Sequence, residues 1–138
     1  MSCIFCAIVA GQAPAAVVHQ DDRILAIMDI APVSRGHVLV IPKRHAENIF
    51  ETPAEDLIAV TAVARRIALA IRSEWAPAGL GVFQLNGAAA GQTVFHYHMH
   101  LIPRADGEPF VLHGRKLADL AELQQQASCL AAALAAID

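Results

Sequence analysis

Gly91-Gln92-Thr93-Val94-Phe95-His96-Tyr97-His98-Met99-His100-Leu101-Ile102-Pro103 decides how this chain of 138 residues is read. Thr93 to Ile102 has the alternation of a strand, with Pro103 ending it. Successive strand side chains point to opposite faces, so His96, His98 and His100 share one face. Phe95, Tyr97, Met99 and Leu101 share the other, which suits a helix packed behind it. Upstream, Gly87-Ala88-Ala89-Ala90-Gly91 is a loop of small residues, and Leu80 to Asn86 reads as the preceding strand.

Further out, Thr52-Pro53-Ala54-Glu55 predicts a helix start, with threonine as cap, proline at the first helical position and glutamate closing a capping box. Leu57, Val60, Ala64, Ile67 and Ile71 then form one apolar stripe to about Trp75, and Pro77 and Gly79 end it. Nearer the N-terminus, Ala16–His19 and Arg23–Asp29 read as a hairpin around Asp21-Asp22, and His37–Ile41 as a third strand stopped by Pro42. Cys3–Val9 reads as a turn or one helical coil. Residues 116–137 read as a C-terminal helical segment whose stripe is Leu120, Leu123, Ala127, Leu130, Leu134 and Ile137. The stripe can pack on its own subunit or on a partner. The pattern predicts one α+β domain over residues 1–138, with a mainly antiparallel five-stranded sheet, a long helix and a C-terminal helix.

Hydrophobic residues make up 56% and aromatics 5%, so aliphatics and alanine must fill the core. A net charge of −3 gives no general affinity for nucleic acid or anionic membrane, so a phosphate site must be local. No Lys or Arg precedes Arg23, and the apolar run Cys129–Ile137 is too short for a bilayer. A cytoplasmic protein with no membrane partner is expected. Three cysteines do not make a secreted disulfide framework.

Three imidazoles on a strand have several readings: a solvated face, a three-histidine zinc site, or phosphorus chemistry. Neutral imidazole attacks phosphorus well and forms a labile phosphoramidate. That chemistry needs one ring nitrogen bare, the other held by an acceptor, and donors for the phosphoryl oxygens, which Gly91-Gln92-Thr93 can supply. Separately, Cys3-x-x-Cys6 has the spacing for two thiolates on one tetrahedral ion, with His45 a candidate third ligand. A thioredoxin-like role does not fit, because no βαβ unit follows the pair. Cys129 reads as a small core residue, and His19 and His113 as structural or exposed. His37 lies on a strand near the triad and is the remaining histidine to watch.

His96 to Ile102 resembles the His-φ-His-φ-His-φ-φ signature (φ apolar) of the histidine triad (HIT) superfamily. Asp29-Ile30-Ala31-Pro32 and Gly36-His37-Val38-Leu39-Val40-Ile41-Pro42-Lys43-Arg44-His45 are similar to its other blocks, and the likeness runs from Cys3 to about Arg104. The resemblance implies a five-stranded antiparallel sheet with two helices, in subunits that pair as a homodimer. It implies that His98 is the nucleophile, covalently nucleotidylated, and that His100 contacts the phosphate and protonates the leaving group. Asn86, Gly91, Gln92 and Thr93 then match phosphate positions, Asp29 the acid on the ribose hydroxyls, and Ile27 the base pocket. Cys3, Cys6, His45 and His96 match the ligands of a structural zinc ion, as in bacterial-type members. No organic cofactor is implied.

The expected activity is hydrolysis or transfer at the α-phosphate of a purine nucleoside monophosphate conjugate. The metal block and Asp29-Ile30 favour nucleoside phosphoramidates. Gly91-Gln92-Thr93-Val94 and Ile102-Pro103-Arg104 resemble more the dinucleoside polyphosphate hydrolases. Ile27 and Met28 depart from the aromatic and polar residues of the phosphoramidase pattern, which weakens base stacking there. The alternatives are a nucleotide- or partner-binding module with incidental turnover, and a zinc hydrolase with all three triad rings on metal.

Overall fold

A computed structural model describes residues 2–137. In chain order it contains α1 (Ile4–Val9), β1 (Val17–Gln20), β2 (Ile24–Met28), β3 (Val38–Pro42), α2 (Ala54–Trp75), β4 (Gly79–Phe83), a 3-10 turn (Ala88–Ala90), β5 (Met99–Arg104) and α3 (Leu120–Ile137). The strands form one antiparallel sheet in the order β1-β2-β3-β5-β4, the α+β architecture expected. Asp21 makes the first turn, its Oδ1 accepting from the N–H groups of Arg23 and Ile24, each at 2.8 Å.

Both faces of β2 and β3 are covered, which is why Ile24–Met28 and Val38–Pro42 are unbroken apolar runs. Ala26, Met28, Val38, Val40 and Leu101 pack under α2 and α3. Leu25, Ile27, Leu39 and Ile41 face the other way, with Phe5 of α1. α3 packs on α2 and β1 of its own chain, answering whether the stripe needs a partner. Among the described residues, no helix is long and apolar enough to cross a membrane.

Several boundaries differ from expectation, each for a local reason. Thr52 does not cap α2: Pro53 occupies the cap position without a side-chain bond, and the Thr52 hydroxyl donates to the carbonyl of Asn48 at 2.7 Å. Glu55 is turned to Arg44 instead of closing a capping box, at 3.1 Å. β4 ends at Phe83, before Asn86. α3 begins at Leu120 rather than at residue 116, because the Ala118 N–H is held by the Ile30 carbonyl at 2.9 Å and Asp119 accepts from Ala121. β5 runs through Pro103, whose carbonyl accepts from the Ser34 hydroxyl at 2.6 Å beyond the last β3 pairing, Val38 with Leu101.

The largest difference concerns the triad. Only His100 lies in β5; Thr93 to His98 run outside the ladder. Their polar groups are satisfied elsewhere: the Tyr97 N–H donates to the Ala46 carbonyl at 2.8 Å, and the Val94 carbonyl accepts from the Gln92 amide at 3.1 Å. The alternation nevertheless holds from His96 onward, with Tyr97 and Leu101 in the helix-side core and the three histidines excluded from it.

Candidate active site

Because the chain leaves the ladder before β5, the carbonyl of His96 is free to accept from a side chain. It accepts from His98 Nδ1 at 2.6 Å. A carbonyl only accepts, so Nδ1 carries the proton and Nε2 is bare. Nε2 makes no hydrogen bond among the described residues, and the ring lines a cavity of about 300 Å³. Burial holds His98 below the ordinary imidazole value.

His100 is set by a chain of two bonds. The Val33 N–H donates to His37 Nδ1 at 3.0 Å, so His37 must carry its proton on Nε2. That N–H donates to His100 Nδ1 at 2.9 Å, which leaves His100 with its proton on Nε2. Phe83 stacks on the His100 ring, with centroids 4.5 Å apart and planes at 15°. The His98 and His100 rings are 4.9 Å apart, so one imidazole offers a lone pair beside another that offers a proton. Burial foremost, then neighbouring imidazoles, push His37 down to about 4 and His100 to about 3. The His37–His100 pair is therefore neutral at physiological pH.

The same cavity has an apolar end, where Ile27, Leu39 and Val94 meet Ile4, Phe5 and Ile8 of α1. The α1 residues escaped sequence reasoning, although Ile4 and Ile8 have i,i+4 spacing and Phe5 lies beside Ile4. Phe5 meets the His98 ring edge-on at 5.1 Å. Asp29 lies between the two ends; its Oδ1 accepts from the Ala31 N–H at 2.8 Å and its Oδ2 lies 3.4 Å from His37 Nε2. Burial raises the Asp29 pKa. Met28, Ile30, Ala31, Thr93, His113 and Gly114 complete the wall.

Ile27, Asp29, Thr93, His98 and His100 are thus brought together. Asn86, Gln92 and Gly91 are not in the cavity wall. The Asn86 side chain is consumed by the Ile49 N–H and by Gln84. Gln92 is buried, accepting from the Gly87 N–H at 2.7 Å and donating to the carbonyls of Glu47 and Val94. Both brace the loop. Gly91 adopts φ +101, a conformation other residues rarely take.

His96 faces away from this cavity. Its Nε2 donates to the Pro42 carbonyl at 2.7 Å, so Nδ1 presents a bare lone pair. That atom lies 3.1 Å from His45 Nδ1, 3.4 Å from Cys3 Sγ and 3.6 Å from Cys6 Sγ, while Cys6 Sγ is 3.4 Å from His45 Nδ1. A tetrahedral zinc ion with ordinary bond lengths sets N–N at about 3.3 Å and N–S at about 3.5 Å. The four donors fit such an ion. Cys3 also caps α1, its Sγ accepting from the Cys6 N–H. The three triad rings do not converge on one point: candidate metal clusters among the described residues contain His96 or His100, never both, and never His98. The second cluster, Asp29, His37 and His100, is a hydrogen-bonded set in which His37 has no free lone pair.

Residues 10–107 match the family model described as the HIT domain. The chain is 50% identical over 103 residues to the "Protein hit" of Bacillus subtilis, covering 75% of this chain and 71% of that one. It is 37% identical over 134 residues to "Adenylylsulfatase HINT3" of Arabidopsis thaliana, covering 93% of this chain and 67% of the relative. Its fold matches the crystal structure of a Zn-bound histidine triad family protein from Mycobacterium smegmatis with a TM-score of 0.87 and 42% identity, covering 100% of this chain and 96% of the other.

Proposed function

Since the chain belongs to the histidine triad (HIT) family over residues 10–107, we propose that it cleaves nucleotide conjugates at the α-phosphate through a covalent intermediate on His98. The observation that carries this reading is the tautomer of His98: Nδ1–H held by a carbonyl, Nε2 bare on the cavity wall. In the first step the Nε2 lone pair forms the N–P bond and the bond from phosphorus to the leaving atom breaks. The leaving atom takes the electron pair and accepts a hydrogen bond from the neutral His100 Nε2–H, and solvent water supplies the proton it needs. Bonding to phosphorus makes the His98 ring cationic, and the His96 carbonyl stabilises its more acidic Nδ1–H. In the second step water attacks phosphorus, the N–P bond breaks with its electron pair returning to His98, whose ring becomes neutral again, and the surplus proton of water is released to solvent.

Thr93 is suited to donate to the phosphoryl oxygens, Asp29 to accept from the ribose hydroxyls, and the Ile27 end to take the base. Gly91, Gln92 and Asn86 serve by shaping the loop. The apolar end offers no aromatic face above the base from Ile27 or Met28, consistent with a purine held by shape and burial. The class of substrate is a purine nucleoside monophosphate conjugate, a phosphoramidate first and a dinucleoside polyphosphate second. The Arabidopsis relative, an adenylylsulfatase by name, adds adenylyl sulfate to the candidates.

Cys3, Cys6, His45 and His96 would hold a structural zinc ion, which when bound ties α1 to the triad segment. The Zn-bound relative supports this assignment. Their divergence from His98 argues against a hydrolase with all triad rings on one metal. A homodimer is supported by β4, an edge strand with no charge or proline and with Val82 exposed, the kind of edge that monomers protect.

The test is a rapid quench of wild-type protein with adenosine phosphoramidate, diadenosine polyphosphate or adenylyl sulfate, followed by mass spectrometry of the intact chain. A transient nucleotidyl adduct on His98 is expected, absent in His98→Asn. Hydrolysis at full rate by His98→Asn would overturn the mechanism.

A further inference from the structure

Between β5 and α3 the chain crosses the cavity as a strap, residues 105–119, fastened at both ends and in the middle. At its start Arg104 donates to the carbonyls of Glu108 and Pro109, and its guanidinium lies over the Phe110 ring. At its end the Ala118 N–H bonds to the Ile30 carbonyl. In the middle, Gly114 lies so close to the β2–β3 loop that a Cβ there would overlap the Ala31 carbonyl oxygen. This clamp sets the neighbouring His113 into the cavity wall, 6.4 Å from the His100 ring.

His113 Nε2 lies 2.7 Å from the Gly91 carbonyl, so it donates there. Gly91 is the left-handed residue that turns the chain from the 3-10 turn into Gln92 and Thr93. Gln92 braces that turn from within the protein through Gly87, Glu47 and Val94. His113 grips it from the opposite, cavity side. Thr93 itself is exposed and follows the turn directly, so its placement depends on the carbonyl that His113 holds.

We propose that His113 is a positioning residue: through its bond to Gly91 it fixes the Gly91-Gln92-Thr93 turn against the phosphoryl site, and the strap thereby contributes to the transfer step. The inference rests on the phosphoryl-transfer reading given above. It acts through Gly91 and requires no bond from His113 to the substrate.

The experiment compares His113→Gln, which keeps an N–H donor, with His113→Leu, which keeps bulk and loses it. Amide hydrogen exchange of Gly91 and Gln92, both bonded within the turn, is measured alongside single-turnover nucleotidylation with adenosine phosphoramidate. The expected result is at least about tenfold faster exchange at Gly91 and Gln92 in His113→Leu, about tenfold slower nucleotidylation with little change in KM, and recovery of both in His113→Gln. Unchanged exchange in His113→Leu overturns the proposal, as does equal impairment of the two variants. Exchange reads the turn without any chemistry. A wild-type protein that forms no adduct therefore refutes the phosphoryl-transfer reading and leaves the test of the turn in force.

Discussion

The chemistry of the site rests on which nitrogen of each imidazole carries a proton, and main-chain groups decide that in three cases. The Pro42 carbonyl sets His96, the His96 carbonyl sets His98, and the Val33 N–H, through His37, sets His100. His98→Ala or His98→Asn should lower turnover by about 10³-fold or more and leave nucleotide binding in place, as read by calorimetry beside single-turnover rates. His37 and His100 also leave a signature in stability. Their folded values, about 4 and about 3, lie below the ordinary imidazole value of 6.5. The unfolded chain therefore binds more protons as pH falls through 6.5, so stability is full above that value and declines toward pH 4. Urea midpoints measured between pH 7 and pH 4.5 should fall, and His37→Gln should reduce the drop. A flat profile would contradict the burial of neutral imidazoles. The triad was legible as residues, because His-x-His-x-His on alternating positions is rare. Its tautomers were not, since they depend on carbonyls brought in from β3 and from a chain that has left the ladder.

At the level of elements, α1 is short and exposed on one side, yet with its cap Cys3 and its own Cys6 it offers two ligands of the candidate metal centre, and it forms one wall of the cavity. Six residues are too few to be stable alone. Cys3→Ala should therefore lower zinc content and reduce the melting temperature by about 5–10 °C, with a smaller effect on the chemical step. Metal analysis and calorimetry would show whether the two losses coincide. Gly36 precedes β3 with φ +88, and a Cβ there would lie 2.7 Å from the Trp75 ring at the end of α2. Gly36→Ala should cost on the order of 2–4 kcal/mol in denaturant unfolding. The long stripe of α2 announced that helix correctly, because Val60, Ala64, Ile67 and Ile71 repeat at its period and all are buried. The ends were harder to see. Thr52 had a competing acceptor in Asn48, and Ala118 one in Ile30, and such tertiary bonds leave no mark on local sequence. Asn86 and Gln92 were found as site-region residues by likeness, but their side chains turn inward because the loop has unpaired backbone groups to satisfy.

In the whole molecule the open edge at β4 is the feature that a second copy would cover. Sedimentation velocity should give twice the 14.7 kDa chain mass, and Val82→Lys should shift it to the monomer; a monomeric wild type would contradict the pairing. The order β1-β2-β3-β5-β4 places His100 beside Leu39 on one side and Phe83 on the other. All five strands and the antiparallel hairpin at β1-β2 were visible in the sequence; that β5 inserts between β3 and β4 emerges from packing. This arrangement separates two kinds of hereditary change. Along β2 and β3, Ala26, Met28, Val38 and Val40 look toward the helices, while Leu25, Ile27, Leu39 and Ile41 look toward α1. A saturation library across these strands should separate the helix-facing positions, where changes depress cellular abundance, from Ile27 and Leu39 on the cavity wall, where changes alter substrate preference, so that selection can retune the site at those two codons with less damage to the scaffold.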